Sequence, residues 1–91
     1  MRDFKKRELE AEMAYKKALL SDENNEIKEI FERVKDYMEN KFEKEDENRH
    51  DRYRFFEDVN SMRFHVDNSR ARMEEIEDLE EDLGLKEEEY I

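Results

Sequence analysis

The chain has 91 residues, 52% of them charged and 35% apolar, with one Gly, no Pro and no Cys. Twenty-nine acidic residues against eighteen basic ones set a net charge of −11, which disfavours direct binding to nucleic acid or to an anionic membrane surface because like charges repel over about a Debye length. This composition excludes a large single core, a β-rich fold, disulfides, thiolate metal sites and any run of membrane-spanning length, and it suits long helices.

The amino terminus, Met1-Arg-Asp-Phe-Lys-Lys-Arg7, is basic but has no apolar stretch behind it, so a cleaved signal peptide is not expected. A cytoplasmic protein, or one exported with a partner, fits. Met13, Leu20, Ile27 and Val34 then recur every seven residues. Leu9, Phe31 and Met38 form a second column, with Ile30 and Tyr37 broadening the stripe. These columns read as the a/d seam of an amphipathic helix over about residues 3–45. Ser21-Asp-Glu-Asn-Asn25 is polar enough to kink or cap a helix, yet the seven-residue step passes from Leu20 to Ile27 in phase. The segment is therefore read as part of one helix, kinked near 21–25 at most, with a separate first helix as the competing reading.

Residues 41–52 hold a single apolar side chain, Phe42, and a turn is placed at about 46–50. Asn48 is the best candidate for a left-handed backbone there, and Asp46 or Asn48 is suited to cap the next helix. The same seven-residue register also continues from Val34 through Lys41 and Asn48 to Phe55, so an antiparallel dimer of unbroken helices is the alternative. Glu47 and His50 have the Glu-x-x-His spacing that places two metal ligands on one helical face in di-iron bundles. In a chain so rich in acids that spacing is cheap, and no metal is assigned.

The second helix is expected over about residues 51–83. Phe55, Val59, Met62, Val66, Ser69, Met73 and Ile76 step alternately by four and three, and Leu83 follows a heptad later. Gly84 suits the left-handed position just past the helix end, with Leu85 placed to pack back onto the last turn, and residues 84–91 read as a frayed tail. The expected fold is all-α, an antiparallel hairpin of two long helices.

Charge supports the antiparallel direction. Residues 1–20 carry six basic and four acidic groups, +2; residues 21–48 carry five and eleven, −6; residues 49–72 carry six and four, +2; residues 73–91 carry one and ten, −9. Doubling back near Glu47 sets each weakly basic quarter beside an acidic one.

No catalytic, cofactor-binding or metal-binding residues emerge: Ser21 and Ser69 lie in helical contexts, no glycine-rich loop is present for phosphates, and His65 has no distinctive acid–base partner. A non-enzymatic protein without cofactor or small-molecule substrate is expected. The acidic run Glu74-Glu-Ile-Glu-Asp-Leu-Glu-Glu-Asp82 reads first as a solvated face and second as a dock for a basic partner. Ten aromatic residues exceed what a narrow two-helix seam covers. Tyr53, Phe56 and Phe64 lie off that seam, and they are the expected partner-binding residues, whether the partner is another helical protein or a second copy.

A small charged protein of two long helices, whose Glu/Arg-rich second helix ends in leucine-spaced acids and is followed by Tyr90, resembles the small helical partner proteins encoded beside LXG toxins of Gram-positive type VII secretion systems. Phe42-Glu-Lys-Glu-Asp46 and Tyr53-Arg-Phe-Phe-Glu57 have the aromatic-x-x-x-acid form that recurs in those systems, whereas the Trp-x-Gly of their best-known small hairpins does not occur. The resemblance implies a protein that binds the helical N-terminal domain of a toxin and acts as its adaptor or chaperone. Two other readings stand beside it: an acidic phage-type inhibitor that imitates nucleic acid, and a structural coiled-coil homo-oligomer.

Overall fold

A computed structural model describes residues 2–84, and the side chains of residues 4–84. Two helices, α1 (Arg2–Asn40) and α2 (Arg49–Asp82), fold back on each other through the loop at residues 41–48. No strand occurs among the described residues. The expected all-α antiparallel hairpin is the observed fold: Lys5, Lys6 and Leu9 line one groove with Asp82 and Leu83. The loop disposes of the continuous-helix alternative, and α1 passes through residues 21–25 as unbroken helix.

The first helix stops at Asn40, short of the expected 45, for a local reason. The Tyr37 carbonyl accepts from the amides of both Lys41 and Phe42, which diverts the chain from the helical ladder. Glu43 then takes the left-handed conformation at φ 58°, where a helix of L-residues cannot continue. The loop accordingly lies at residues 41–48 rather than 46–50, and the left-handed residue is Glu43 rather than Asn48. Asn48 is extended instead and caps α2, its side-chain oxygen accepting from the Asp51 amide at 2.9 Å. At the other end Gly84 has φ 75°, and its amide donates to Glu81. The expectations for Leu85 and for the tail beyond Gly84 lie outside the described residues.

The seam differs from expectation in one column of each helix. The seam positions on α1 are Leu9, Met13, Lys16, Leu20, Glu23, Ile27, Ile30, Val34 and Tyr37, with Leu19 partly covered beside them. On α2 they are Phe55, Asp58, Met62, His65, Ser69, Arg72, Ile76, Leu79 and Leu83. Both series step by three and four, as knobs-into-holes packing requires. The a columns, Met13 to Val34 and Phe55 to Leu83, match the sequence reading. The d columns match only in part: Leu9, Ile30 and Tyr37 are covered as read, but the columns also run through Lys16 and Glu23 on α1 and through Asp58, His65, Arg72 and Leu79 on α2. Phe31 and Met38 on α1, and Val66 and Met73 on α2, sit one residue further on and are about half exposed.

Polar d residues survive in the seam because each finds a partner. Lys16 pairs with Glu75 at 2.9 Å, which Arg72 also holds through two 3.0 Å hydrogen bonds. Lys16 first, then Arg72, keeps the Glu75 carboxyl below the usual carboxylate range. His65 Nδ1 donates to Glu23, and Asn68 and Ser69 hydrogen-bond Glu23 and Asn24. Asp58 is bridged by Arg33 at 3.2 Å. The buried apolar residues, Ile30, Tyr37, Ile76 and Leu79, flank this polar middle toward the two ends of the hairpin.

Candidate functional site

The molecule is a slab, with Cα extents of 66 × 25 × 14 Å. Two helices side by side leave two broad sides, and they differ in chemistry. On one of them Lys17 and Leu20 share a groove with Met73, Ile76, Glu77 and Glu80. Stepping by sevens from Lys17 carries that side through Asn24, Phe31 and Met38; stepping back from Met73 carries it through Val66 and Val59. Phe31 (50% exposed), Met38 (46%), Val66 (47%) and Met73 (52%) therefore form one apolar band, with the partly covered Val59 between them. The other broad side carries Glu12, Lys16, Glu75 and Asp78 at the free end and Arg33, Asp36, Lys41, Asp51, Arg54 and Asp58 toward the loop.

Of the three residues singled out from the sequence, Phe56 (47% exposed) borders the loop end of the apolar band, and Tyr53 (61%) meets it edge-on, with ring centroids 6.1 Å apart. Phe64 (62%) stands away from both: its ring packs against that of His65, and its register places it toward the polar side. The structure thus brings Tyr53 and Phe56 together and separates Phe64. It adds Phe31, Met38, Val59, Val66 and Met73, which the sequence reading had assigned to the hairpin's own seam. A usable signal was available: five charged or imidazole side chains fall at d positions, while the apolar residues sit at the next position.

A second cluster closes the loop end. Tyr37 stacks on Phe55 with centroids 4.8 Å apart, Phe42 meets both rings at 6.1 Å, and the Arg52 guanidinium lies 4.5 Å over Phe42. The Tyr37 hydroxyl donates to Glu47 at 2.6 Å and accepts from Arg52 Nε at 3.0 Å; Glu47 also takes the Arg52 guanidinium and the Glu43 amide. Arg52, then Tyr37, lowers the Glu47 carboxyl to about 2, while burial first and then Glu47 raise the Tyr37 hydroxyl. Glu47 therefore fastens the loop, apart from His50 in the first turn of α2, and the Glu-x-x-His pair does not share a helical face.

Chemically, the apolar band can do one thing well, which is to exclude water against another apolar surface. The acidic run is partly spent inside the molecule, Glu75 on Lys16 and Arg72, and Glu74 on Arg70. No helix of the described residues is long and apolar enough to cross a membrane. No protein-family model, curated protein or solved structure matches the chain.

Proposed function

We propose that the chain is a non-enzymatic binding protein that completes a helical bundle with another helical protein, seated on the side lined by Phe31, Met38, Val59, Val66 and Met73, with Phe56 and Tyr53 at its loop end. The observation that carries this reading is an inversion. Charged or imidazole side chains occupy five of the covered d positions, Lys16, Glu23, Asp58, His65 and Arg72, while Phe31, Met38, Val66 and Met73, each one residue after a d position, stand about half exposed. A half-exposed Phe leaves about 100 Å² of apolar surface, whose burial is worth about 2.5 kcal/mol. A hairpin that is half of a bundle needs this outer side apolar as well, with the polar pairs fixing register in the seam.

The resemblance to LXG partner proteins supports a finer reading: the client is the helical N-terminal domain of such a toxin, and the chain is its adaptor or chaperone, acting in the cytoplasm or leaving with its client. Titration calorimetry against the N-terminal domain of an LXG toxin encoded beside the chain tests it. Val66→Asp should abolish binding and Phe64→Ala should leave it unchanged. If Phe64→Ala abolishes binding and Val66→Asp does not, the client sits on the opposite side and the apolar band has another purpose. If instead charge reversal across residues 74–82 alone abolishes binding, the acidic surface is the docking element.

A further inference from the structure

The proposal above leaves the chemistry of the partner unstated. We infer, resting on that reading, that the apolar band receives an acidic amphipathic helix: one apolar stripe bordered on both edges by Asp and Glu, laid along the groove between α1 and α2.

The charges that border the band point to this occupant. In each helix the residue after a seam position falls on the apolar side, and the residue before it falls on the opposite side. From Ala14 to Met38 the apolar-side positions of α1 hold Lys17, Lys28 and Lys35 and no acid. From Phe56 to Met73 those of α2 hold Arg63 and Arg70 and again no acid. Acids return only behind this rim, at Glu32, Glu39, Asp67 and Glu74, or past the band toward the free end, at Glu77 and Glu80. The opposite side is the reverse: its α1 positions hold Glu12, Asp22, Glu26, Glu29 and Asp36 against Arg33 alone. A chain of net charge −11 thus borders its apolar band with bases.

These bases are also free to serve a partner. Lys16, Arg33, Lys41, Arg52 and Arg72 are spent on acids of the hairpin. Lys28, Lys35 and Arg63 are exposed and make no ion pair with the described residues, and Arg70 holds only Glu74 of its own helix, at 3.4 Å.

The rim is two-sided at one level. Tyr37 against Phe55 and Glu23 against His65 set the register of the hairpin, which puts Lys28 nearly level with Arg63 on the other helix. A helix seated over Phe31 and Val66 therefore meets a cation at each edge, with Lys35 and Arg70 about two turns along. The acids of the opposite side lie across a slab 14 Å thick, beyond a Debye length of about 8 Å at physiological salt, so the nearby rim outweighs them. A second copy presenting the same side would set base against base. An anionic bilayer, being wider than one helix, would also meet Glu32, Glu39, Asp67 and Glu74.

Two synthetic helices test the inference, each about 18 residues long to match the band from Phe56 to Met73, with Leu along one stripe. One carries Glu at the positions bordering the stripe, and the other carries Lys. Fluorescence anisotropy with the full chain should give the Glu peptide a Kd at least tenfold below that of the Lys peptide, opposite to what net charge alone favours, and about 0.5 M salt should shrink the ratio. Val66→Asp should abolish binding. Lys28→Glu should weaken the Glu peptide several-fold, whereas Arg54→Glu, the same change of charge on the opposite side, should leave it unchanged. Circular dichroism checks that each variant stays helical. Equal or tighter binding of the Lys peptide, still lost in Val66→Asp, overturns the acidic occupant and leaves the bundle-completing function standing. Binding that ignores Val66→Asp overturns both. If neither peptide binds, the acidic occupant falls and the client titration alone decides the function. Val66-dependent pelleting with phosphatidylglycerol vesicles would give the face to a membrane, and a Val66-dependent dimer of the peptide-free chain would give it to a second copy; either overturns the inference.

Discussion

Replacing the polar layer at mid-hairpin by an apolar one should stabilise the protein. Glu23 and His65 face each other across the seam, and their side chains are 22% and 21% exposed. A fully buried Leu contributes about 1.5–3 kcal/mol, so a Leu that is four-fifths covered contributes about 1.2–2.4 kcal/mol. Glu23→Leu with His65→Leu therefore gains about 2.5–5 kcal/mol from burial. Against this stand the lost pair, about 0–1 kcal/mol for groups still reached by water, the weak 3.4 Å hydrogen bond from Asn68, and an unfolded chain more compact than the extended reference. A net gain of about 2 kcal/mol remains. For a chain of this size that is a rise of about 10 °C in Tm, read by circular dichroism at one fixed protein concentration. Each single variant leaves one polar group facing Leu and should melt close to wild type, so the double-mutant cycle should show coupling. A double variant that melts below wild type would refute the reasoning, because the polar layer would then be adding net stability rather than setting register.

Phe55→Ala should cost at least 2 kcal/mol, since it removes the ring stacked on Tyr37, whereas Phe56→Ala next to it should cost under about 1 kcal/mol in the isolated hairpin; urea titration of both variants checks the contrast. Because the folded Glu47 carboxyl is lowered to about 2 from an ordinary 4.5, its stabilising effect is complete above pH 4.5 and disappears as pH falls toward 2. Thermal melts across that window should therefore fall more steeply for wild type than for Glu47→Gln; parallel curves would contradict the assignment. Glu43→Gly should stabilise by about 0.5–1 kcal/mol, because a left-handed backbone strains every residue but Gly, and a lower Tm would show that the loop needs the side chain.

The helical hairpin was legible because it is written in period and in absence: four apolar positions seven apart from Met13 to Val34, five positions from Phe55 to Leu83 broken only by Ser69, and nothing to break a helix inside either run. What could not be read was the direction in which each stripe faces. Hydrophobicity points to the apolar arc, which runs through the a column and the next column at Phe31, Met38, Val66 and Met73. Packing in the hairpin is centred instead between a and d, where Lys16, Glu23, Asp58, His65 and Arg72 escape a search for apolar residues. The offset became visible only once the opposite helix supplied Glu75 to Lys16 and Glu23 to His65. The loop was misplaced for a similar reason. Glu43 has no turn propensity, and its conformation follows from tertiary bonds, Phe42 to the Tyr37 carbonyl and its own amide to Glu47.

The aromatic and ionic knot at the loop also has a kinetic consequence. Its partners are near in sequence, ten residues for Tyr37 with Glu47 and fifteen for Tyr37 with Arg52, whereas Glu23 and His65 are forty-two apart. Closing the knot first costs the least chain entropy, and each later layer then lies only a few residues beyond one already formed. The hairpin should zip from the loop toward its open end, and amide hydrogens should exchange in the reverse order, slowest around Tyr37 and Phe55 and progressively faster toward Leu9 and Leu83.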